Sequence, residues 1–312
     1  MRYLHLLSWV AGSAWAIEAT KAQVILDVLL RRAIGAPSAD DTPWDDDQQE
    51  SRAAARAERR KSEPQEGIAI VPVMGVISPR VRDVEGVSTG GGMSAEGFAA
   101  AMRQLAGDTN VSGILLDINS PGGNVYGIPE AAEAVREARS AKPVWAVAHH
   151  QAASAAYWLA STAEQLVVTP SGEIGSIGVY SYHEDISKAL EMQGRKPTLI
   201  KAGPNKAEGH PAFPLGEEAA AHVQARVDDY YAMFVRDVAK GRGVPVATVR
   251  DSFGGGRMFG AQEAVRLGMA DRVGTLDDTI RRMQRAVGKQ RTGGEAFDGG
   301  DIATRRRRLA LA

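Results

Sequence analysis

From Gly67 onward the chain alternates two kinds of segment, and this alternation limits its possible folds more than any other feature. "GIAIVPVMGVI" (67–77) is an apolar run rich in β-branched residues. "SAEGFAAAMRQLAGD" (94–108) instead opens on a capping serine, Ser94, has Glu96 in its first turn, and places Phe98, Met102 and Leu105 at helical spacing. "VSGILLDINS" (111–120), "PVWAVAH" (143–149) and "QLVVTP" (165–170) repeat the first pattern, and "GIPEAAEAVREARSA" (127–141) and "SAAYWLASTA" (154–163) the second. Strands this apolar, separated by helices, predict an α/β fold with a mostly parallel sheet covered on both faces. In such folds the loops at the carboxyl ends of the strands carry the sites.

Composition narrows the functional classes. The 312 residues are 44% hydrophobic, enough for a substantial core, and the net charge of −1 gives no bias toward nucleic acid or anionic membrane. Without cysteine, disulfides and thiolate metal sites are excluded. The opening "MRYLHLLSWVAGSAWAIEA" resembles a secretory leader, but His5 and Ser8 break its apolar run and "KAQVILDVLLRRAIG" continues with helical spacing. Residues 1–36 are therefore expected to form a helical extension, and no segment reaches the roughly 18 apolar residues of a spanning helix. Residues 37–66 read as a charged linker, 67–288 as the main domain, and 289–312 as a flexible basic tail whose "RRRR" is a solvated run. The tail ends in "LALA", a small-residue peptide expected either to be cleaved or to occupy the site.

Two loops carry candidate chemistry. In "DINSPGGNVYG" (117–127), Pro121 bends the chain and Gly122-Gly123 permits backbone angles closed to other residues, so bare N–H groups can face a ligand. A tight strand-to-helix turn explains the same residues. The loop lacks the lysine and spacing of a phosphate loop. The second site is Ser154, set among Ala152, Ala153, Ala155 and Ala156 where a strand passes into a helix. A serine there is a plain cap, worth about 1 kcal/mol, or a nucleophile. In the second case the N–H groups of Ala155 and Gly123 would form an oxyanion hole. The hydroxyl needs a base. His149 and His150 are too close along the chain to reach back easily, which leaves His183, His210 and Lys206. A lysine serves only where desolvation or neighbouring cations lower its pKa.

"DINSPGG", "AASAAYWLAS", "GEIGSIGVY" and "IKAGPNKAEG", in this order, resemble the signal peptide peptidase A (S49) family of Ser-Lys proteases over residues 67–285. The resemblance implies a ClpP/crotonase-like fold of repeated ββα units. It makes Ser154 the nucleophile, Lys206 the general base, Ser176 the hydroxyl that orients the lysine, and Gly123 with Ala155 the oxyanion donors. It implies no metal and no cofactor. Substrate is expected to lie extended, pairing its backbone with the edges near Gly123 to Val125 and Ile174 to Val179, with Gly122, Val125, Ile177 and Gly178 as binding residues. The N-terminal segment and "GSIGVYSYHEDISKALEMQGRKPTLIKAGPNKAEGHP" resemble the phage branch, the capsid or prohead maturation proteases. That branch implies cleavage of scaffold and capsid proteins in host cytoplasm or an assembling prohead. It also implies a homo-oligomeric ring in which Ser154 and Lys206 can meet across a subunit boundary, with no nucleic acid required and no stable membrane insertion. A membrane-associated leader-peptide peptidase and a crotonase-like acyl-CoA enzyme are the alternatives.

Overall fold

The computed structural model describes residues 14–18, 67–80 and 92–293, with side chains as far as Gly288. A short strand, β1 (Trp15–Ile17), comes first. The chain then repeats a strand–strand–helix unit. β2 (Ile68–Met74), β3 (Ile77–Ser78) and β4 (Met93–Ser94) lead into α1 (Ala95–Gly107). β5 (Gly113–Ser120) and β6 (Gly122–Asn124) lead into α2 (Ile128–Ala141), and β7 (Val144–Ala153) passes directly into α3 (Ala155–Ser161). β8 (Gln165–Val168), β9 (Glu173–Gly175), α4 (Ser187–Met192), α5 (Glu217–Arg242), α6 (Val246–Ser252), β10 (Met258–Gly260), α7 (Ala261–Arg266), β11 (Arg272–Val273) and α8 (Leu276–Gly293) follow.

The first strand of each unit joins the larger sheet, in the order β10-β9-β7-β5-β2. β8 pairs with the first half of β7 and β9 with its second half, and β11 extends the sheet beyond β8. All these pairings are parallel except β10 with β9. The second strands form a smaller sheet, β1-β6-β3-β4. This is the repeated ββα architecture expected from the sequence.

Burial explains why the strands read as continuous apolar runs. Ile114, Leu116 and Ile118 of β5 point into the core under α1, α2 and α3, while Leu115 faces the opposite side with Trp145, Val147, Met283 and Val287 beneath α8. Successive side chains alternate faces, and both faces are covered. Ser94 caps α1 by accepting from the Gly97 N–H at 3.0 Å. At the other end Lys142 Nζ donates to the carbonyls of Leu105, Asp108 and Val111 at 2.7 to 2.8 Å, closing orphan acceptors past the last turn.

Two departures concern the chain ends. Trp15–Ile17, within the expected helical extension, is a strand with every residue buried. Its apolar side chains pack into the body and its backbone pairs with β6, and this tertiary pairing outweighs local helical preference. At the far end α8 continues past the expected domain end at 288 to Gly293. The rest of 1–36, the linker over 37–66 and the tail with "LALA" lie outside the described residues.

Candidate active site

β7 runs without a loop into α3, and Ser154 is the junction. Its backbone sits at φ 54° and ψ −118°. Ser154 and Ser176 are the two non-glycine residues of positive φ among the described residues. This region is costly for a side chain, and such strain concentrates at functional sites. Neighbours hold Ser154 there. Its N–H donates to the Gly175 carbonyl at 2.8 Å, and its carbonyl accepts from Trp158 N–H at 2.9 Å. All seven residues of α3 are buried. Trp158 stacks on Phe234 at 4.5 Å and donates to Asp237 at 2.7 Å, and Tyr157 donates to the Met269 carbonyl at 2.9 Å. The helix is thus anchored on both sides, and the serine at its mouth cannot relax alone.

The capping explanation fails on geometry. Ser154 occupies the N-cap position, but its side chain makes no capping hydrogen bond. The hydroxyl instead has a long contact, 3.5 Å, to the Gly178 carbonyl, and the residue is 1% exposed. A buried hydroxyl on strained backbone without a strong partner is unexplained by stability alone.

The Gly122-Gly123 pair has a packing reason beyond turning. A Cβ on Gly123 would lie 1.8 Å from the Ile77 carbonyl oxygen, because β3 crosses there. A Cβ on Gly122, at φ 95°, would lie 2.3 Å from the Ala16 carbonyl oxygen and 3.0 Å from Ala155 N. The oxyanion donors expected from the sequence therefore border one small region, reached by β1 as well. Gly123→Ala should lower the melting temperature sharply and abolish activity, since the obstructing atoms are backbone and cannot swing away. Thermal melts on the purified variant check this, and a melt like wild type refutes it.

β1 lies between two edges. It pairs antiparallel with β6, Trp15 opposite Asn124, Ala16 opposite Gly123 and Ile17 opposite Gly122. Val125 N–H donates to the Ala14 carbonyl at 3.2 Å, and Glu18 N–H to the Pro121 carbonyl at 2.8 Å. Hydrogen-bonded pairs recur at every second residue of such a ladder, so Ala16 and Gly123 form the pair between them, with Gly123 N–H on the Ala16 carbonyl. On the other side Trp15 and Tyr180 exchange both backbone bonds, at 2.9 and 3.0 Å. Burial beside β1, with the Glu18 charge adding to it, pushes the Tyr180 phenol up to about 12.

The remaining expected residues fall in two groups. Ser176 and Ile177 follow β9, with Ser176 N–H on the Arg257 carbonyl at 2.8 Å; together with Gly178 they adjoin Ser154. Lys206 is exposed in a turn of the long connection between α4 and α5, and among the described residues no hydrogen bond joins its amine to Ser154. His149 faces Asp117 at 3.3 Å and stacks on His150. Burial raises the Asp117 carboxyl, partly offset by these imidazoles. His210 Nδ1 accepts from Ala212 N–H at 3.1 Å. Neither arrangement includes Ser154.

One wall of the site was illegible in the sequence. Gln224, Val227, Asp228 and Tyr231 of α5 line a groove with Ile177, Gly178 and Val179. The stripe Val223, Val227, Tyr230, Tyr231, Phe234 and Val238 fits core packing equally well, and only Phe234 and Val238 are buried in the core.

Among the described residues no helix is long and apolar enough to cross a membrane. The model for "Peptidase family S49" matches residues 136–290. "Capsid assembly protease C" of Escherichia phage lambda is 37% identical over 222 residues, covering 71% of this chain and 49% of that protein. "Head-tail preconnector protein GP5" of Enterobacteria phage P21 is 34% identical over 229 residues, covering 73% of this chain and 45% of that protein. The chain spans about half the length of these curated relatives. Among solved structures, a mutant of the 1510-N membrane-bound stomatin-specific protease aligns with a TM-score of 0.43 at 13% identity, covering 69% of this chain and 82% of that one. The chain carries a peptidase family S49 domain and belongs to that family.

Proposed function

We propose that this protein is a serine endopeptidase that cuts scaffold and capsid proteins during phage head assembly, with Ser154 as nucleophile and Lys206 of a neighbouring copy as general base. The observation that carries the reading is Ser154 itself, a buried, uncapped hydroxyl on strained backbone beside two backbone N–H groups. The relatives' names, a capsid assembly protease and a head-tail preconnector protein, support the substrate class.

The reaction runs as acyl transfer. The unprotonated Lys206 amine takes the Ser154 proton as Oγ attacks the scissile carbonyl. The Gly123 and Ala155 N–H groups stabilise the oxyanion, each such donor being worth about 3 kcal/mol in the transition state. The departing amine takes the proton, and water activated by the same lysine releases the acyl group. Ser176, on its own strained backbone beside Gly175, orients the lysine in this reading. Substrate adds as a strand between Gly122–Val125 and the Ile177–Tyr180 segment.

The intersubunit base is supported by the chain bearing Lys206. Met192, at the end of α4, is 89% exposed, and Ile200, on the connection itself, 95%, with Leu199 exposed beside it. Apolar side chains this bare are costly in water and favour burial by another copy in a ring. The test is complementation. Ser154→Ala and Lys206→Ala should each fail to hydrolyse casein, and co-assembled they should recover a sizeable fraction of wild-type activity, because some sites then combine an intact serine with an intact lysine. Absence of recovery in confirmed mixed oligomers refutes the intersubunit pairing, and full activity of Lys206→Ala refutes the base.

A further inference from the structure

We propose that the chain's own segment Ala14–Glu18 is bound as a substrate in the cleft, and that Ser154 cleaves it between Ala16 and Ile17. This rests on the reading of Ser154 as nucleophile and extends it to a self-processing site.

Two registers, taken from opposite walls of the cleft, converge on that bond. From the β6 side, the Ala16 carbonyl faces Gly123 N–H, and both the Ala16 oxygen and Ala155 N lie within 3.0 Å of the same point above Gly122. The Ala16 carbonyl thus takes one donor assigned to the oxyanion, Gly123 N–H, and lies on the same side of Gly122 as the other, Ala155 N–H. From the other side, Trp15 and Tyr180 form an isolated antiparallel bridge, and a peptide extending that register by two residues would bring Ile17 opposite Gly178. Gly178 is the residue whose carbonyl lies 3.5 Å from Ser154 Oγ. One wall holds the carbonyl of residue 16, and the extended register of the other directs residue 17 toward the hydroxyl.

The sequence of the segment fits the position. Side chains alternate along a strand, so Ala14 and Ala16 share one face and Trp15 and Ile17 the other. Ala16 is fully buried and Ala14 nearly so, which leaves room only for small side chains on the acyl side. The strand uses backbone bonds on both edges, as an added peptide strand does. While it is in place, the Gly123 N–H and the Trp15-paired edge of Tyr180 are unavailable to any other peptide. The bond persists in a single chain because no base is hydrogen-bonded to Ser154 there, and assembly supplies Lys206.

The step balances as ordinary hydrolysis. Ser154 Oγ bonds to the Ala16 carbonyl carbon and its proton passes to the lysine. The C–N bond to Ile17 breaks and the Ile17 nitrogen takes the proton. Water then frees the Ala16 carboxylate and restores the serine.

The test is intact mass and N-terminal sequencing of the assembled full chain, alongside casein hydrolysis by the same sample. The expected result is wild type that begins at Ile17, with Ser154→Ala retaining everything ahead of it. Ser154→Gly, which tolerates the positive φ better, repeats the control if the alanine variant misfolds. Wild type that hydrolyses casein with the Ala16–Ile17 bond intact, or cut elsewhere in this segment, overturns the self-processing site and leaves the protease reading standing. Wild type that cuts neither casein nor itself overturns the protease reading and this inference with it.

Discussion

Replacing Ser154 with alanine lowers casein hydrolysis by about a thousandfold or more while the protein still folds and assembles. The size of the effect follows from the chemistry. Without the hydroxyl no acyl-enzyme forms, and only the oxyanion donors and substrate positioning remain. The fold survives because the Ser154 side chain makes no capping bond and its one contact is long. What fixes the turn is backbone: Ser154 N–H on the Gly175 carbonyl and Trp158 N–H on the Ser154 carbonyl. Alanine keeps both, at the cost of remaining at positive φ. Circular dichroism and size-exclusion profiles matching wild type, with activity gone, are the expected pair of results. Retention of a tenth of the activity refutes Ser154 as nucleophile.

The largest loss of stability is expected from Asp271→Ala. Arg242, near the end of α5, is 3% exposed, and its two terminal nitrogens donate to the two Asp271 oxygens at 2.9 Å each. The same carboxylate accepts from Leu166 N–H at 2.7 Å, at the start of β8. Asp271 thereby ties a helix end to the edge of the main sheet. Removing it takes away the carboxylate that both terminal nitrogens of this buried guanidinium bond, leaving the Nε–H on the Gly268 carbonyl, and breaking such a pair typically costs about 3–5 kcal/mol. For a body of this size that is a fall in melting temperature of about ten degrees. Arg242→Met should cost less, because it leaves a partly exposed carboxylate still bonded to Leu166 and replaces the charge with apolar volume. Thermal melts of both variants check the order, and an Asp271→Ala melt within about two degrees of wild type refutes it.

The ββα repeat was legible because the first halves of β5 and β7, Gly113 to Leu116 and Val144 to Ala148, are buried on both faces. A strand with that environment must be apolar at every position, and it stands out against helices with polar faces. Ser154 was legible for a related reason: a hydroxyl where alanine would pack better demands an explanation, and its uncapped geometry removes the ordinary one. Gly122 and Gly123 were visible as glycines, but their cause was not. The atoms that exclude a Cβ belong to Ile77 and Ala16, far away in sequence. The half-exposed face of α5 was ambiguous because helical spacing reports which residues share a face and not what that face meets.

The order of residues along the chain determined the alternating strands and helices, the serine at the end of β7 and the glycine pair after β5, since each depends on local pattern and near neighbours. Tertiary structure alone decided that Trp15–Ile17 is a strand paired along Gly122–Asn124, and that Tyr180 closes its other edge. Both depend on backbone edges brought together from distant segments, and a strand's partner is chosen by which edge is left open, a property no short stretch of sequence contains.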